Sequence, residues 1–200
     1  MIGITGGIAS GKSAVSNRLR DLGAVVLDAD VFSREAVLPH TPGWEQVKEN
    51  FPAVIQEDLS INRRLLGEII FADAHKRKLL EGIIHPEVLR RIKKDAKEAK
   101  EQGKIVFAEV PLLYEVGWDS FMDAVWVVYV DPLIQLERLM KRNQISCERA
   151  QQMVASQLPL EVKVGRADQV IDNNGPLEET WEQVDALWKE LERENSLNCP

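Results

Sequence analysis

The sequence has few cysteines, no long hydrophobic run and no excess of positive charge. Its two cysteines, Cys147 and Cys199, do not have the spacing of a CxxC motif or a metal site, so we expect reduced thiols that bind no metal. The longest apolar run, AVWVVYV at 124–130, is far shorter than the roughly 20 residues that span a bilayer. A net charge of −7 argues against a nucleic-acid-binding protein, whose binding face is usually basic. We expect neither a nucleic-acid nor a membrane partner.

The amino terminus does not have the pattern of a signal peptide. A glycine-rich motif begins at Gly6, where a signal peptide needs an apolar core, so we expect a cytoplasmic protein. Hydrophobic residues make up 44% of the chain and charged residues 28%, which is ordinary for a globular protein with a sizeable core. Its 200 residues are enough for one generous domain with an inserted subdomain.

Five short apolar stretches predict buried β-strands with helices between them. Most are apolar continuously rather than alternately, which is typical of strands covered on both faces. Strands that alternate with helices indicate a parallel sheet with right-handed crossovers, so we expect an open α/β sandwich. The predicted strands are MIGIT (1–5), AVVLDAD (24–30), KIVFAEV (104–110), AVWVVYV (124–130) and QVID (169–172).

Two helical regions do not fit a minimal sandwich. The stretch from 31 to 103 contains no convincing strand, and its helical patterns, RRLLGEIIF (63–71) and HPEVLRRIKKDAKEAKEQG (85–103), predict an inserted helical subdomain. Residues 133–158 predict two helices with a break at NQIS, the second capped by Ser146. A final helix is predicted after Pro176, with an apolar stripe that packs on the core: Leu177, Trp181, Val184, Trp188 and Leu191.

A phosphate-binding loop is the strongest motif of the chain. GGIASGKS (6–13) matches G-x-x-x-x-G-K-[ST] and lies between a predicted strand and a predicted helix. Glycines let backbone N–H groups turn toward a polyphosphate, and the helix adds its positive N-terminal end. Lys12 is expected to reach the β- and γ-phosphates, and the Ser13 hydroxyl to ligate Mg²⁺. The predicted ATP-binding residues are Gly7, Ile8, Ala9, Ser10, Gly11, Lys12, Ser13 and Ala14.

Motifs of other nucleotide-binding classes are missing from the sequence. It has no N-K-x-D stretch of a guanine-reading GTPase and no LSGGQ stretch of an ABC-type ATPase. A compact P-loop kinase that acts on a small acceptor is the interpretation that remains. A regulator that senses or hydrolyses ATP without transferring a phosphoryl group is the rival from another class.

The second predicted strand ends in two carboxylates, Asp28 and Asp30. The carboxyl end of the strands is where ligands bind to an open parallel sheet. In a kinase, Asp30 is positioned to accept the proton of the attacking hydroxyl. Asp28 is expected to have a structural or water-mediated role, and capping of the following helix is the alternative for both carboxylates.

Five motifs, in this order and spacing, resemble dephospho-CoA kinase. They are TGGIASGKSAV, LGAVVLDAD, IIHPEV (83–88), VPLLYE (110–115) and VIDNNG (170–175). The resemblance implies transfer of the γ-phosphoryl group of ATP to the ribose 3′-hydroxyl of dephospho-CoA, the last step of coenzyme A biosynthesis, with Mg²⁺ as cofactor. The alternative is another small P-loop kinase that acts on a nucleoside or nucleotide.

The resemblance also implies an architecture. We expect a three-layer P-loop NTPase core around a five-stranded parallel sheet, a helical substrate-binding subdomain and a helical lid. On this basis the core consists of 1–30, 104–132 and 161–200, the subdomain of 31–103 and the lid of 133–160. The expected partners are ATP and dephospho-CoA, and the expected oligomeric state is a monomer or weak homo-oligomer.

Several site residues follow from the resemblance, position by position. Asp30 is similar to the family's catalytic base, and His85 with Pro86 to its H-P pair in the substrate domain. Asn173 is similar to the adenine-side position, although Asn-Asn-Gly-Pro also suits a turn. The P-L-L-x-E stretch on the acceptor side corresponds to Pro111, Leu112, Leu113 and Glu115, the two leucines as an apolar wall.

Paired arginines are expected in the lid. Arg138 and Arg142 are four residues apart on one helical face and can stabilise the charge of a transferring phosphoryl group, although a solvated face is the alternative. Lys163 and Arg166 are weaker candidates for the same lid.

The sequence departs from the family's commonest pattern at three positions. Ala9 stands where glycine is usual, Ala14 where threonine is usual, and Tyr114 where phenylalanine is common. Glu109 stands where the family often has aspartate, and a contact to Mg²⁺ through water is one role for it. Ala9 removes some backbone freedom from the loop, because alanine tolerates fewer dihedral angles than glycine.

Overall fold

The fold is α/β, with a five-stranded sheet whose strands are all parallel. The computed structural model describes residues 1–197, with side chains through Asn195, so Cys199 lies outside the described residues. The strands are β1 (Ile2–Gly6), β2 (Val25–Asp28), β3 (Val106–Glu109), β4 (Ala124–Tyr129) and β5 (Gln169–Asp172). Their order in the sheet is β2-β3-β1-β4-β5, so the strand that enters the phosphate-binding loop is central.

Helices connect the strands and account for most of the remaining described chain. Between β1 and β3 they are α1 (Lys12–Asp21), α2 (Ala29–Glu35), α3 (Pro42–Asn50), α4 (Arg63–Ala72) and α5 (Ala74–Glu101). After β4 they are α6 (Pro132–Asn143), α7 (Cys147–Ala155), α8 (Leu160–Val164) and α9 (Leu177–Leu197). Short 3₁₀ turns lie at Pro52–Val54 and Trp118–Phe121. In the described part of the chain, none of the helices has the length and apolar character needed to cross a membrane.

The main core lies between the sheet and the helices α1 and α9. Every residue of β1 is buried, as its continuous apolar pattern predicts. On one face, Ile2 and Ile4 belong to a cluster that includes Val15 and Leu19 of α1 and Val184 and Trp188 of α9. The predicted packing role of the α9 stripe is therefore confirmed at Val184, Trp188 and Leu191, which also packs against this cluster, whereas Leu177 remains 39% exposed.

The chain divides into two compact units, which we describe separately. Unit 1 consists of Met1–Leu27 and the described residues from Ala96 onward, and it contains the main core. Unit 2 consists of Asp28–Asp95 and is mostly helical. It has its own hydrophobic cluster, formed by Val37, Val47, Phe51, Val54, Leu66, Leu80 and Ile83.

The second strand is shorter than the sequence predicts. It ends at Asp28, and Asp30 lies in the first turn of α2 rather than in extended chain. The physical reason is an N-cap, since the Asp28 side chain accepts hydrogen bonds from the backbone N–H groups of Asp30, at 2.8 Å, and Val31, at 3.2 Å. The strand prediction through residue 30 is wrong, and the structural role of Asp28 is confirmed.

Helix α5 begins much earlier than predicted. Asp73 caps it by accepting hydrogen bonds from the N–H groups of His75, at 2.8 Å, and Lys76, at 3.2 Å. Pro86 lies inside the helix, where its missing N–H removes one bond toward residue 82. The predicted helix start at His85 is therefore wrong, because proline in the middle of a long helix has the same local signature as proline in a first turn.

The two helices predicted for 133–158 are confirmed as α6 and α7. Gln144 ends α6 in a left-handed conformation with φ 52°, and Ser146 caps α7 by accepting a hydrogen bond from the Arg149 N–H at 3.2 Å. The structure adds the short helix α8, which the sequence analysis did not predict. Cys147, the other cysteine, is exposed with a free thiol.

Candidate active site

The phosphate-binding loop connects the central strand β1 to α1, so its backbone meets the N-terminus of a helix. Gly11 is the residue before α1 and has a left-handed φ of 94°. A Cβ at this position would lie 2.0 Å from Asn173 Nδ2, so glycine is required for both conformation and space. Ala9 also has a left-handed backbone conformation, with φ 59°. Glycine, the usual residue at this position in the family that the sequence resembles, adopts this conformation more easily.

A cleft of about 690 Å³ joins this loop to α6. We call it the cationic cleft, and its lining residues are Ala9, Gly11, Lys12, Ser13, Arg138, Lys141 and Arg142. The structure therefore brings both predicted arginines to the predicted loop. Lys141 was missed, although its spacing of three residues from Arg138 places it on the same side of the helix. Four cationic side chains around one cleft, on a chain of net charge −7, favour a highly anionic ligand.

Lys12 lies across the loop that it belongs to. Its Nζ donates hydrogen bonds to the backbone oxygens of Gly6, at 3.3 Å, and Gly7, at 3.1 Å. The ammonium group is thereby held beside the loop and at the lining of the cleft. A triphosphate offers stronger acceptors than backbone carbonyls, because its oxygens carry full negative charge and attract the ammonium group.

Asn173 is buried below the loop and uses both ends of its carboxamide. Nδ2 donates to the Ser10 backbone oxygen at 2.8 Å, and Oδ1 accepts a hydrogen bond from Thr180 Oγ1 at 2.8 Å. The residue is only 5% exposed. Both ends of the side chain therefore already bind other residues of the protein. A contact between residue 173 and adenine stays a prediction, and it would use the backbone of this residue.

The acceptor-side stretch after β3 is tied to α8 by an ion pair between a buried lysine and a partly exposed glutamate. Lys163 has no exposed side-chain surface, and its Nζ lies 2.8 Å from Glu115 Oε1 and donates to the Pro111 oxygen at 3.2 Å. Glu115 also accepts a hydrogen bond from the Leu158 N–H at 3.0 Å. These contacts assign Lys163 to bracing this stretch, which corrects the expectation that it extends the lid.

The remaining residues of the stretch divide between core and surface. Leu113 is fully buried, whereas Leu112 is 40% exposed, so only Leu112 presents apolar surface to solvent. Tyr114 donates from its hydroxyl to the Arg166 backbone oxygen at 2.9 Å, and the Arg166 guanidinium lies 4.2 Å from the ring centroid. Burial raises the pKa of the Tyr114 hydroxyl, and the positive charge of Arg166 opposes this shift. Arg166 also pairs with Asp119 at 2.8 Å, so it braces this stretch rather than extending the lid.

Two predicted site residues belong to unit 2. Asp30 is exposed in the first turn of α2. His85 is half-buried within α5, and desolvation lowers the pKa of its imidazole, with Glu81 exerting a smaller opposite effect. Their contacts with a substrate stay predictions.

Glu109 is a buried carboxylate next to the central strand. It is 7% exposed, ends β3 and is in register with Ile4 of β1. Within residues 1–197 no group of three or more Asp, Glu, His or Cys residues is arranged to hold a metal ion. A cation at this site therefore needs ligands from a bound nucleotide and water.

A parallel sheet whose central strand leads through a phosphate-binding loop into a cationic cleft defines a P-loop nucleotide-binding protein. The sequence model of the dephospho-CoA kinase family matches residues 1–179. The chain therefore belongs to the dephospho-CoA kinase family. It is a kinase that transfers phosphate to an alcohol group, and the family catalyses the final step of coenzyme A biosynthesis.

Individual relatives agree with this family. A dephospho-CoA kinase of Symbiobacterium thermophilum is 46% identical over 191 residues, which cover 94% of this chain and 80% of the relative. A crystal structure from Thermus thermophilus is 34% identical, with a TM-score of 0.83 and coverage of 95% and 96% of the two chains. The structure of a dephospho-CoA kinase from Campylobacter jejuni is 26% identical, with a TM-score of 0.75 and coverage of 97% and 98%.

Proposed function

We propose that this chain transfers the γ-phosphoryl group of ATP to the ribose 3′-hydroxyl of dephospho-CoA. The observation that carries the proposal is the cationic cleft, which combines loop residues with Arg138, Lys141 and Arg142 in a chain of the dephospho-CoA kinase family. A triphosphate matches this lining, because its several negative charges lie close together. The reaction needs little covalent chemistry from the protein, so positioning and charge stabilisation are its main tasks.

The donor half of the reaction belongs to the loop and to α1. The N-terminus of α1 and the loop N–H groups bind the phosphates, and Lys12 exchanges its backbone acceptors for phosphate oxygens. Ala14 contributes only its backbone N–H, which is what phosphate binding requires. Arg138 and Arg142 bind the transferring group from α6 and stabilise the charge that develops on it.

Magnesium fits the residues that are present. Ser13 is exposed in the first turn of α1 and lines the cleft, so its hydroxyl can ligate the ion beside the phosphates. Glu109, at the end of β3, is a carboxylate with only 7% exposure, and we propose that it contacts the ion through water. When bound, Mg²⁺ would neutralise part of the negative charge of the phosphates.

The acceptor half is proposed from the family resemblance together with the local geometry. Asp30 accepts the proton of the 3′-hydroxyl as the new O–P bond forms and the bond between the β- and γ-phosphates breaks, and ADP leaves. His85 and Glu115, with Pro111 and the leucines that follow it, contribute to acceptor binding. In this stretch the exposed Leu112 supplies the apolar contact, and Leu113 supports it from the core.

The proposal is tested by offering ATP with several acceptors in parallel. Dephospho-CoA, nucleosides and nucleoside monophosphates are incubated with the full chain, with Mg²⁺ and with a chelator. We expect coenzyme A and ADP in equal amounts from dephospho-CoA only, and only when Mg²⁺ is present. Phosphorylation of another acceptor without coenzyme A would identify a different small P-loop kinase, and ADP formation without any acceptor would identify an ATPase.

A further inference from the structure

Two backbone oxygens of the phosphate-binding loop accept hydrogen bonds from carboxamides that lie far away in the sequence. Gln135 Nε2, on α6, donates to the Ile8 oxygen at 2.8 Å across 127 residues. Asn173 Nδ2, after β5, donates to the Ser10 oxygen at 2.8 Å across 163 residues. Both side chains are buried, at 3% and 5% exposure, so each bond is shielded from competing water.

These bonds determine where the next N–H groups point. In a planar trans peptide, the C=O and the following N–H point in opposite directions. The bond to Gln135 therefore directs the Ala9 N–H away from Gln135, and the bond to Asn173 directs the Gly11 N–H away from Asn173. Ala9 and Gly11 are also the two loop residues before Lys12 that line the cationic cleft.

We propose that Gln135 and Asn173 are positioning residues that aim the Ala9 and Gly11 N–H groups at the phosphates of the bound nucleotide. The proposal rests on ATP being the phosphoryl donor. An anion-binding loop works only if its N–H groups converge, and a carbonyl turned inward would repel the phosphate. Holding the carbonyls from outside means that the loop does not have to reorganise when the nucleotide binds.

The surroundings keep both carboxamides in place. Thr180 Oγ1 donates to Asn173 Oδ1 at 2.8 Å, which fixes the orientation of that amide. A Cβ at Gly7 would lie 2.3 Å from Gln135 Nε2, so glycine at position 7 makes room for the donor. A second glutamine, Gln157, accepts the Ile8 N–H at 2.9 Å. Both polar groups of Ile8 are thus bound from outside the loop, next to the left-handed Ala9.

Nucleotide binding by neutral variants tests this role without any acceptor. Gln135→Met keeps nearly the same length without a donor, and Asn173→Leu keeps nearly the same shape. Calorimetric titration with Mg·ADP and Mg·ATP should show dissociation constants about tenfold higher for each variant, as expected for one misdirected hydrogen bond to a charged group. Gln151→Met, at an exposed glutamine on α7, is the matched control and should bind like the unmodified chain.

Amide resonances distinguish aiming from general support of the fold. In ¹H–¹⁵N spectra, Mg·ADP should shift the Ala9 and Gly11 resonances of the unmodified chain strongly. Gln135→Met should reduce the shift of Ala9 and leave that of Gly11, and Asn173→Leu should do the reverse. If the two residues only supported the fold, each substitution would reduce the ligand-induced shifts of Ala9 and Gly11 together.

Each result decides for or against the proposal. Dissociation constants within twofold of the unmodified chain in a folded Gln135→Met variant, or equal losses in the Gln151→Met control, would overturn it. If Asn173→Leu does not fold, Asn173→Val removes the donor with a smaller uncharged side chain, and it must then show the weaker binding. Because these titrations contain no dephospho-CoA, a wrong acceptor assignment leaves their outcome unchanged.

Discussion

The methyl group of Ala9 strains the backbone of the phosphate-binding loop. Its φ of 59° places a Cβ in the left-handed region, which costs roughly 1–2 kcal/mol relative to the right-handed conformation. Glycine relieves this strain but loses more chain entropy on folding. We expect Ala9→Gly to raise the free energy of unfolding by about 0.5–1 kcal/mol, measured by urea denaturation without nucleotide.

The matched change is Ala14→Gly in α1, where the backbone is helical. Here glycine relieves no strain, so the free energy of unfolding should fall by about 1 kcal/mol. Equal destabilisation by the two substitutions would show that the loop does not strain Ala9.

Asp30 is the residue whose chemistry the proposed reaction needs most. Asp30→Asn keeps the size of the side chain but removes the base, so turnover should fall by roughly 10²-fold or more while Mg·ATP binding is retained. Asp21→Asn, at an exposed carboxylate at the end of α1, serves as the control. Unchanged turnover in Asp30→Asn would remove Asp30 from the role.

His85 makes the stability of unit 2 depend on pH. Desolvation lowers the pKa of its imidazole in the folded state, so protons bind more readily to the unfolded chain, whose histidines titrate near pH 6.5. This contribution to stability is complete above the unfolded pKa and is lost as the pH falls through the folded pKa. We expect the free energy of unfolding, measured by denaturant titration, to fall between about pH 7.5 and pH 5.5. The fall should be smaller in His85→Gln.

The exposed His75 near the start of the same helix provides the control for His85. His75→Gln should keep the pH dependence of the unmodified chain. Identical curves for the unmodified chain and His85→Gln would contradict the burial argument.

At the scale of elements, local signals predict some boundaries and fail at others. Strand β5 and the cap of α7 follow directly from QVID and Ser146, because their determinants lie within a few residues. The end of β2 and the start of α5 were misjudged, since Asp28 and Asp73 are caps whose neighbours fit either an extended or a helical chain. Competing local preferences of this kind are decided by packing, which one sequence does not display.

The stretch after β3 depends on an ion pair that no spacing rule predicts. Lys163 is fully buried against Glu115, so Lys163→Met leaves a carboxylate with its partner gone. We expect the free energy of unfolding to fall by about 1–3 kcal/mol, because the Pro111 oxygen and the Glu115 carboxylate, which is 19% exposed, both lose their donor. Thermal or urea denaturation measures the change.

Lys97→Met is the matched control within α5. Lys97 pairs with Glu101 at 3.8 Å, and both side chains are mostly exposed, so its loss should change stability by less than about 1 kcal/mol. A similar effect at both lysines would mean that burial does not strengthen the pair with Glu115.

At the scale of the whole molecule, the two units have separate hydrophobic clusters. A ligand of the cationic cleft should therefore stabilise unit 1 selectively. At a concentration of about 100 times its dissociation constant, Mg·ADP should add about 2.7 kcal/mol to the opening free energy of the slowest β1 and β4 amides. The slowest amides of unit 2 should change little in the same hydrogen-exchange experiment.

The control for this experiment is Lys12→Met, which should lose most of the ligand-induced protection in unit 1. Equal protection of both units would show that they open together as one cooperative body.

The parts of the candidate site that lie close together in the sequence were predictable, and the contacts between distant segments were not. The loop, Lys12, Ser13 and the two α6 arginines form short motifs, and the structure brings them to one cleft. The partners of the loop backbone were not predictable, because Gln135 and Asn173 meet it across more than a hundred residues. Asn173 was noticed in its motif, but its contact with Ser10 depends on the tertiary fold.

The contact between Gly7 and Gln135 has a consequence for how this sequence can evolve. The general phosphate-binding motif leaves position 7 open to any residue, yet here a Cβ would collide with the Gln135 amide. A side chain at 7 would require the Gln135 amide to move aside, and that movement gives up the donor to Ile8. Substitutions at the two positions are thus coupled, and one glycine of the motif is constrained by a helix more than a hundred residues away.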